Sequence, residues 1–520
     1  MVSMLFTFLL LVSVVEEPAI EADVVLQEAT LCDGTGKAKT VGDLAIKGER
    51  IVAVGKFKVR GNVKTINCKG LIIAPGFIDL HSHSDRSLPK KATKANKNFL
   101  MQGATTVITG NCGSGPVNVA GYYKTLDDNG VGTNVIHLVP HNSLRRQVMG
   151  NSNRSPTKEE LKKMQDLVDK GMKDGAFGMS TGLIYNPGTY AKTEELIALA
   201  KIVKNHDGLY ASHIRNESNE VLLAIAEILR IARILGIRVH ISHIKVSGRS
   251  AWGLAGNVVA MIRRAREDGH KVTADQYPYI ASSTSLTATV IPAKFREGSN
   301  KDMIARLDDK EIGPKMRTAM SKRLKGLLDG KVIRIVSYRA NPKWQGKDLF
   351  SIARDQNKST LDMVIEITRK GGAGIVNFSM NEEEVRIFMK EPYVATASDG
   401  SSMLPSKTVP HPRNYGTFPR KIRKYALEDK IIPLEQAIRS ATGLPADILK
   451  LPKRGYLKKG YFADVVVFDP KSFRDTATFD RPHQYATGVR QLYINGQHVI
   501  VDGEFTGKLA GKALRHVSGD

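Results

Sequence analysis

The chain has 520 residues, enough to bury a large core, and its 42% hydrophobic and 25% charged residues are typical of a folded globular protein. The length allows two to three domains, although α/β barrels often run past about 250 residues as one unit. The net charge of +25 does not predict nucleic-acid binding, because the basic residues are spread along the chain without an aromatic-and-basic RNA-binding pattern. A solvated cationic surface is the commoner explanation, and the alternative is that the positive field attracts a small-molecule anionic substrate.

The first predicted element is an N-terminal signal peptide. Residues 4–15 form an apolar run of suitable length that is too short to span a bilayer, and no other segment approaches a transmembrane helix. On this interpretation residues 1–22 are a signal peptide and the protein is periplasmic or secreted. No Lys or Arg precedes the run and no clear cleavage site follows it, so a cytoplasmic protein with a frayed N-terminus is the alternative.

Two segments at opposite ends of the chain predict a small β-sandwich domain. Residues 23–73 contain short alternating strands separated by turn residues, and residues 455–510 return to the same pattern. Two half-sandwiches must meet in space to bury their apolar faces. Residues 74–454 are therefore expected to form a second unit, inserted between the two halves.

This middle unit alternates strand patterns with helical patterns, which predicts a parallel sheet built from βαβ units. Eight predicted strands end near a polar or metal-ligating residue: His81, Cys112, His141, Ser180, His213, His243, Asp275 and Asp399. A closed (β/α)8 barrel needs eight strands and carries its chemistry at their carboxyl ends. The predicted fold is α/β, a (β/α)8 TIM-like barrel with the small β-sandwich beside it.

One interval in the barrel is unusually long. Residues 291–391 lie between the seventh and eighth strands, are rich in charge, and contain extra strand patterns at 332–338 and 374–378. An excursion above the active face is expected to act as a lid. The alternative is a surface insertion without a role in catalysis.

The strand ends predict a metal site. His81 and His83 are two residues apart after an apolar strand, so both rings point to one side and can bind one divalent cation. Four more candidate ligands follow other strands: Cys112, His213, His243 and Asp399. Nitrogen, sulfur and oxygen ligands together suit zinc. Each histidine alone could be a hydrogen-bonded core residue, but their recurrence at strand ends favours a shared site.

A zinc site with one open position indicates hydrolysis, because the ion lowers the pKa of a bound water to about 7. A carboxylate beside that water can accept its proton and pass it to the leaving nitrogen. Asp399 is the candidate for this catalytic role. The alternative is that Asp399 only caps a helix beginning in the Gly-Ser-Ser segment that follows it.

Six motifs resemble the N-acyl-D-amino-acid deacylases, or D-aminoacylases, of the amidohydrolase superfamily, and the resemblance covers nearly the whole chain. The motifs are residues 75–85 (PGFIDLHSHSD), 110–113 (GNCG), 175–183 (GAFGMSTGL), 242–245 (SHIK), 275–279 (DQYPY) and 411–420 (HPRNYGTFPR). No lysine stands near Ser180, where related two-metal hydrolases use a carboxylated lysine or a glutamate. The resemblance instead gives the bridging role to Cys112, which favours the deacylases over hydantoinases and dihydroorotases.

The resemblance implies a role for each site residue. Cys112, His213 and His243 would bind one tight zinc ion, and His81 and His83 a second, weaker one. Arg413 would bind the substrate carboxylate, for which a planar guanidinium is well shaped. Three further residues are similar to the family's substrate-contacting groups: Tyr277, Lys245 and Ser283. Tyr277 could equally be a core aromatic residue, and Lys245 a solvated strand end.

The expected activity is zinc-dependent hydrolysis of N-acyl-D-amino acids to a D-amino acid and a carboxylate. Two alternatives within enzymes are a cyclic-amide hydrolase and a dipeptidase for peptides that end in a D-residue. A third is a catalytically silent binding protein, against which the full set of ligands argues. The segment after Asp399 is longer than the family pattern, and the acyl preference, side-chain preference and oligomeric state are not predicted.

Overall fold

The computed structural model describes residues 19–517. The apolar run at residues 4–15, on which the predicted signal peptide depends, lies outside the described residues. Within the described part of the chain, no helix combines the length and the apolar character needed to cross a membrane.

Both ends of the described chain build one nine-stranded sheet. Its strands are Val24–Leu31, Thr40–Lys47, Arg50–Gly55, Lys64–Asn67, Ile72–Pro75, Val465–Phe468, Val489–Ile494, Gln497–Val501 and Glu504–Phe505. The halves join where Ile72–Pro75 pairs antiparallel with Val465–Phe468. Val465 and Val467 pack into the core of the sandwich, whereas Val466 and Phe468 pack against the barrel, as the two-residue period of a strand requires. The predicted β-sandwich is confirmed.

The predicted barrel is also confirmed. Its strands are Phe77–Asp79, Ala104–Thr109, Asn134–His137 with Val139–Pro140, Gly178–Gly182, Leu209–His213, Arg238–Ile241, Val272–Gln276 and Val394–Thr396. All the barrel pairings are parallel, and a bridge between Ser82 and Gly400 brings the eighth strand back to the first. Ser398 N also donates to Asp79 Oδ1 at 2.8 Å across this closure. The strands are buried on both faces, which explains their short apolar runs.

Helices surround the barrel. They are Lys97–Leu100, Val119–Asn129, His141–Met149, Lys158–Lys173, Thr193–Asn205, Val221–Leu235, Ala255–Glu267, Glu382–Met389, Arg413–Arg420, the π-helical Lys421–Glu428, Leu434–Ala441 and Gly443–Leu449. Short 3-10 turns lie at Asn111–Gly113, Gly188–Tyr190 and Arg249–Ala251. Helix Val221–Leu235 buries Ala224, Ile225 and Ile228, a stripe at helical spacing that fixes it against the strands.

An insertion with its own core separates the seventh and eighth strands. Its antiparallel sheet has the order Ser282–Ser285, Gly374–Asn377, Ile333–Ser337. Its helices are Leu286–Val290, Asn300–Asp308, Ile312–Gly326, Leu349–Asp355 and Thr360–Arg369, with 3-10 turns at Ala293–Phe295, Leu328–Gly330 and Pro342–Trp344. The insertion thus occupies residues 282–377, shifted from the expected 291–391, because its first strand is a serine-rich segment without a strand-like apolar pattern.

Candidate active site

Cys112 lies at the centre of the strand-end cluster. Its Sγ atom faces three imidazole nitrogens: His81 Nε2 at 3.3 Å, His243 Nε2 at 3.3 Å and His213 Nδ1 at 3.5 Å. Cys112 follows the second barrel strand in a tight turn and has a left-handed φ of 50°. Gly113 N donates to Ser180 Oγ at 2.9 Å, which ties this turn to the fourth strand and holds the sulfur in place.

The chemistry of this donor set fits a metal ion. Burial raises the pKa of the Cys112 thiol well above its usual range. His213 Nε2 is buried and accepts or donates no hydrogen bond, while Nδ1 of the same ring faces the sulfur. Three imidazole nitrogens therefore converge on one buried sulfur atom. A divalent cation bound there would satisfy them and favour the thiolate.

A second group of ligand atoms adjoins the first. Asp399 Oδ1 lies 3.1 Å from His83 Nε2 and 3.8 Å from His81 Nε2. The side chain of His81 therefore faces both Cys112 and Asp399, so two candidate metal positions would lie next to each other. The structure thus brings together all six residues that the strand ends predicted.

Asp399 is held by the closure of the barrel. Its backbone N–H donates to His81 O at 2.7 Å, and its carboxylate pairs with Arg413 Nη1 at 2.9 Å. Burial acts to raise the pKa of Asp399, but Arg413 and the neighbouring histidines outweigh it and hold the pKa well below its usual range. No helix begins after Asp399 in the described chain until Arg413, so the helix-cap alternative is wrong.

Arg413 and Tyr277 form one side of the site. The guanidinium of Arg413 lies over the Tyr277 ring, with Cζ 4.8 Å from the ring centroid. Tyr277 is 1% exposed, and its hydroxyl lies 3.8 Å from Met380 Sδ. The Tyr277 ring therefore packs against the Arg413 guanidinium and is buried, as the core-aromatic alternative expected. Its contact with the substrate stays a prediction.

Lys245 and Ser283 occupy different parts of the site. Lys245 Nζ donates to Glu217 Oε1 at 2.6 Å and lies 2.7 Å from His243 Nδ1, so the side chain is buried behind a metal-ligand candidate and is not a solvated strand end. Ser283 lies on the first strand of the insertion, where its hydroxyl donates to Ile375 O at 2.9 Å. Ser283 also lines the pocket that contains His83 and Cys112.

Glu217 is a site residue that the sequence patterns did not reveal. Its Oε1 atom contacts three groups: Lys245 Nζ at 2.6 Å, His243 Nδ1 at 3.1 Å and His213 Nε2 at 3.6 Å. The two imidazole nitrogens, His243 Nδ1 and His213 Nε2, are those that face away from Cys112. A carboxylate in this position fixes the ring orientations and makes the ligands more basic. Glu217 lies in a loop four residues after His213, where only its proximity to a ligand could have marked it.

Asp275 is a second carboxylate that contacts ligand candidates from behind, at His81 and at the backbone of His243. Its Oδ2 atom lies 3.4 Å from His81 Nδ1 and 2.8 Å from His240 Nε2, while Oδ1 accepts from His243 N at 2.7 Å. Asp275 was predicted as the end of the seventh strand without a role of its own. Its position indicates that it orients His81 and the His243 turn.

We expect Glu217→Gln to weaken zinc binding by about 10–100-fold, the usual cost of removing a carboxylate that orients a ligating histidine. The amide keeps the shape of the side chain but loses the charge that faces both rings. Competition with a chelator measures the zinc affinity. Glu220→Gln, an exposed change three residues away, is the matched control. Equal affinities in the two variants would limit Glu217 to holding Lys245.

Comparisons with known proteins agree with this geometry. A model described as "Amidohydrolase family" matches residues 367–500. D-aminoacylase of Alcaligenes xylosoxydans xylosoxydans is 35% identical over 95% of this chain and 97% of the relative. N-acyl-D-aspartate deacylase of the same organism is 34% identical over 95% of each chain. The structure of Bordetella bronchiseptica N-acyl-D-glutamate deacylase, complexed with zinc and a phosphonate mimic of the tetrahedral intermediate, has a TM-score of 0.79, 31% identity, and coverage of 95% and 100%.

The barrel, the sandwich and the buried donor set define a metal-dependent amidohydrolase. Within that superfamily, the chain belongs to the D-aminoacylase family of N-acyl-D-amino-acid deacylases. The resemblance noted from the motifs is confirmed.

Proposed function

We propose that this protein is a zinc-dependent deacylase that hydrolyses the amide bond of N-acyl-D-amino acids. The observation that supports it most strongly is the pairing of Asp399 with Arg413 directly beside the Cys112 cluster. This places a candidate proton acceptor and a candidate carboxylate-binding group on one side of the same metal site. The relatives named for D-amino-acid, D-aspartate and D-glutamate substrates support the class of reaction.

Cys112, His213 and His243 would hold the tight zinc, and His81 and His83 a second, weaker one. When bound there, zinc activates water and polarises the amide carbonyl. Asp399, held ionised by Arg413 together with the neighbouring histidines, accepts a proton from the attacking water and delivers it to the leaving nitrogen. Zinc is the proposed cofactor. The Glu217 carboxylate would keep the His243 and His213 rings oriented toward it.

Arg413 binds the substrate carboxylate in this proposal. A guanidinium has five N–H donors, so Arg413 can keep its contact with Asp399 and still present donors to a second carboxylate. A cyclic amide offers no such free carboxylate, which makes the cyclic-amide hydrolase the weaker alternative. A silent binding protein would have no use for the Asp399 carboxylate beside the ligand cluster.

We expect Arg413→Ala to lower kcat/KM for N-acetyl-D-leucine by about 10–100-fold, because the substrate carboxylate loses a charge-assisted hydrogen bond. Arg413→Lys should recover part of the loss, since it restores the charge without the planar fork. The loss should nearly vanish on N-acetyl-D-leucinamide, a substrate without the carboxylate. Steady-state kinetics on the D-acid, its L-isomer and the amide, with zinc content measured on each variant, test the proposed function.

Because Arg413 also pairs with Asp399, equal losses on the acid and the amide would mean that it acts through Asp399 alone. No hydrolysis of any N-acyl-D-amino acid by the zinc-loaded wild type would overturn the proposed function itself.

A further inference from the structure

A large cavity opens beside the metal-site pocket. Its volume is about 770 Å3, and it lies between the insertion and the loops that follow the third and fourth barrel strands. The pocket of about 310 Å3 that contains His83 and Cys112 shares three lining residues with it: Arg146, Tyr185 and Asn186. The Tyr185 hydroxyl lies 3.1 Å from Thr284 Oγ1 of the insertion. The cavity therefore adjoins the pocket where the amide would react.

The cavity carries unpaired positive charge. Arg146, Arg296 and Arg339 line it, and none of its described lining residues is acidic. No carboxylate within residues 19–517 forms an ion pair with any of these three arginines. Arg296 is half-buried, and its Nε atom is buried without a hydrogen-bond partner. The adjacent Glu297 instead accepts from Asn153 N at 2.8 Å.

A neighbouring cation increases the imbalance. Burial, together with the charge of nearby Arg323, lowers the pKa of Arg296 to about 10, so the side chain stays charged at neutral pH. Hydroxyl groups of Ser285, Thr287 and Ser337 complete a mostly polar wall. Such a wall suits a charged or hydrogen-bonding group better than a long hydrocarbon chain.

The order of the strands fixes which end of the substrate faces the cavity. Arg413 and Tyr277 follow the eighth and seventh strands, whereas Arg146 and Tyr185 follow the third and fourth. In a closed eight-stranded barrel these pairs stand on opposite sides of the axis. With the α-carboxylate at Arg413 and the amide carbonyl at the metal site, the acyl group extends across the barrel toward Arg146.

We propose that this cavity binds the acyl group of the substrate, and that the preferred acyl group carries a negative charge of its own. The inference rests on the proposed deacylase function and adds to it an acyl-group subsite with a defined chemistry. A dicarboxylic acyl group, bound by Arg296 and Arg146, is the class of ligand that the cavity fits.

Four substrates separate the acyl group from the side chain. They are the N-glutaryl and N-pentanoyl derivatives of D-leucine and of D-glutamate. The glutaryl and pentanoyl groups have the same chain length but differ in charge, and the two amino acids vary the charge of the side chain independently. Their kcat/KM values are measured with the zinc-loaded wild type, with Arg296→Gln and with Arg146→Gln. Arg354→Gln, an exposed arginine elsewhere on the insertion, is the matched control.

We expect the wild type to prefer the glutaryl over the pentanoyl substrate by at least about tenfold on either amino acid, as a charge-assisted hydrogen bond predicts. Each cavity variant should reduce that preference, the ratio of the glutaryl to the pentanoyl kcat/KM, by about tenfold or more. Arg354→Gln should leave the ratio unchanged. Because Arg146 is exposed, its variant keeps the test valid if Arg296→Gln fails to fold.

Two results would overturn the proposal. One is a wild type that hydrolyses the pentanoyl substrates but shows no glutaryl preference. The other is a cavity variant that loses the preference for D-glutamate over D-leucine with the acyl preference intact, which assigns the cavity to the side chain. Both results leave the deacylase function standing, whereas that function is rejected, together with this subsite, if the zinc-loaded wild type hydrolyses no N-acyl-D-amino acid.

Discussion

Asp399→Asn should lower kcat by about 10²–10⁴ while zinc remains bound, because an amide has the shape of the carboxylate but cannot accept a proton from the attacking water. The structure sharpens this expectation. Asp399 is buried, its pKa is held well below the usual range by Arg413 and the histidines, and it is therefore ionised at neutral pH. Asparagine removes that charge but keeps the size of the side chain and one hydrogen-bond-accepting oxygen.

Steady-state kinetics and elemental analysis on the same preparation separate the roles of Asp399. Loss of zinc together with activity would make it chiefly a metal ligand, which its 3.1 Å contact with His83 also allows. A normal kcat would exclude both roles. Asp128→Asn, on the exposed face of helix Val119–Asn129, controls for the loss of one carboxylate and should leave kcat and zinc unchanged.

The sequence predicted the architecture because the barrel repeats a simple pattern. Each strand is a short apolar run that ends at a polar residue. Such runs are the pattern expected of parallel strands that are buried on both faces. His81, Cys112 and His243 could therefore be placed at one end of the barrel before any distance was known. The first strand of the insertion, Ser282–Ser285, lacks that pattern and was missed.

The supporting residues could not be predicted for a different reason. Glu217 lies in an irregular loop, and its role follows only from the meeting of His213, His243 and Lys245 in space. The Asp399–Arg413 pair likewise joins a strand end to a helix start through a loop of irregular backbone. Contacts of this kind depend on loop conformation, which carries no periodic signal in the sequence.

Cys112→Ser should reduce zinc affinity by more than about 100-fold, beyond the effect expected for Glu217→Gln, and abolish activity with it. A neutral hydroxyl is a much poorer zinc ligand than the thiolate that a bound cation would favour at Cys112, and the three imidazole nitrogens facing Sγ would lose that sulfur ligand. His213→Ala and His243→Ala should behave in the same way. Cys68→Ser, a buried thiol in the sandwich core, is the control for a cysteine that binds no metal.

The decisive measurement is cobalt substitution followed by absorption spectroscopy. A thiolate-to-cobalt charge-transfer band should appear in the wild type and in Cys68→Ser, and disappear in Cys112→Ser. This band reports the sulfur–metal bond directly, so it distinguishes a lost ligand from a misfolded barrel, which circular dichroism checks separately. A Cys112→Ser variant that keeps stoichiometric zinc and full activity would leave Cys112 as a buried core residue, and the metal would then have to be held by the histidines and Asp399 alone.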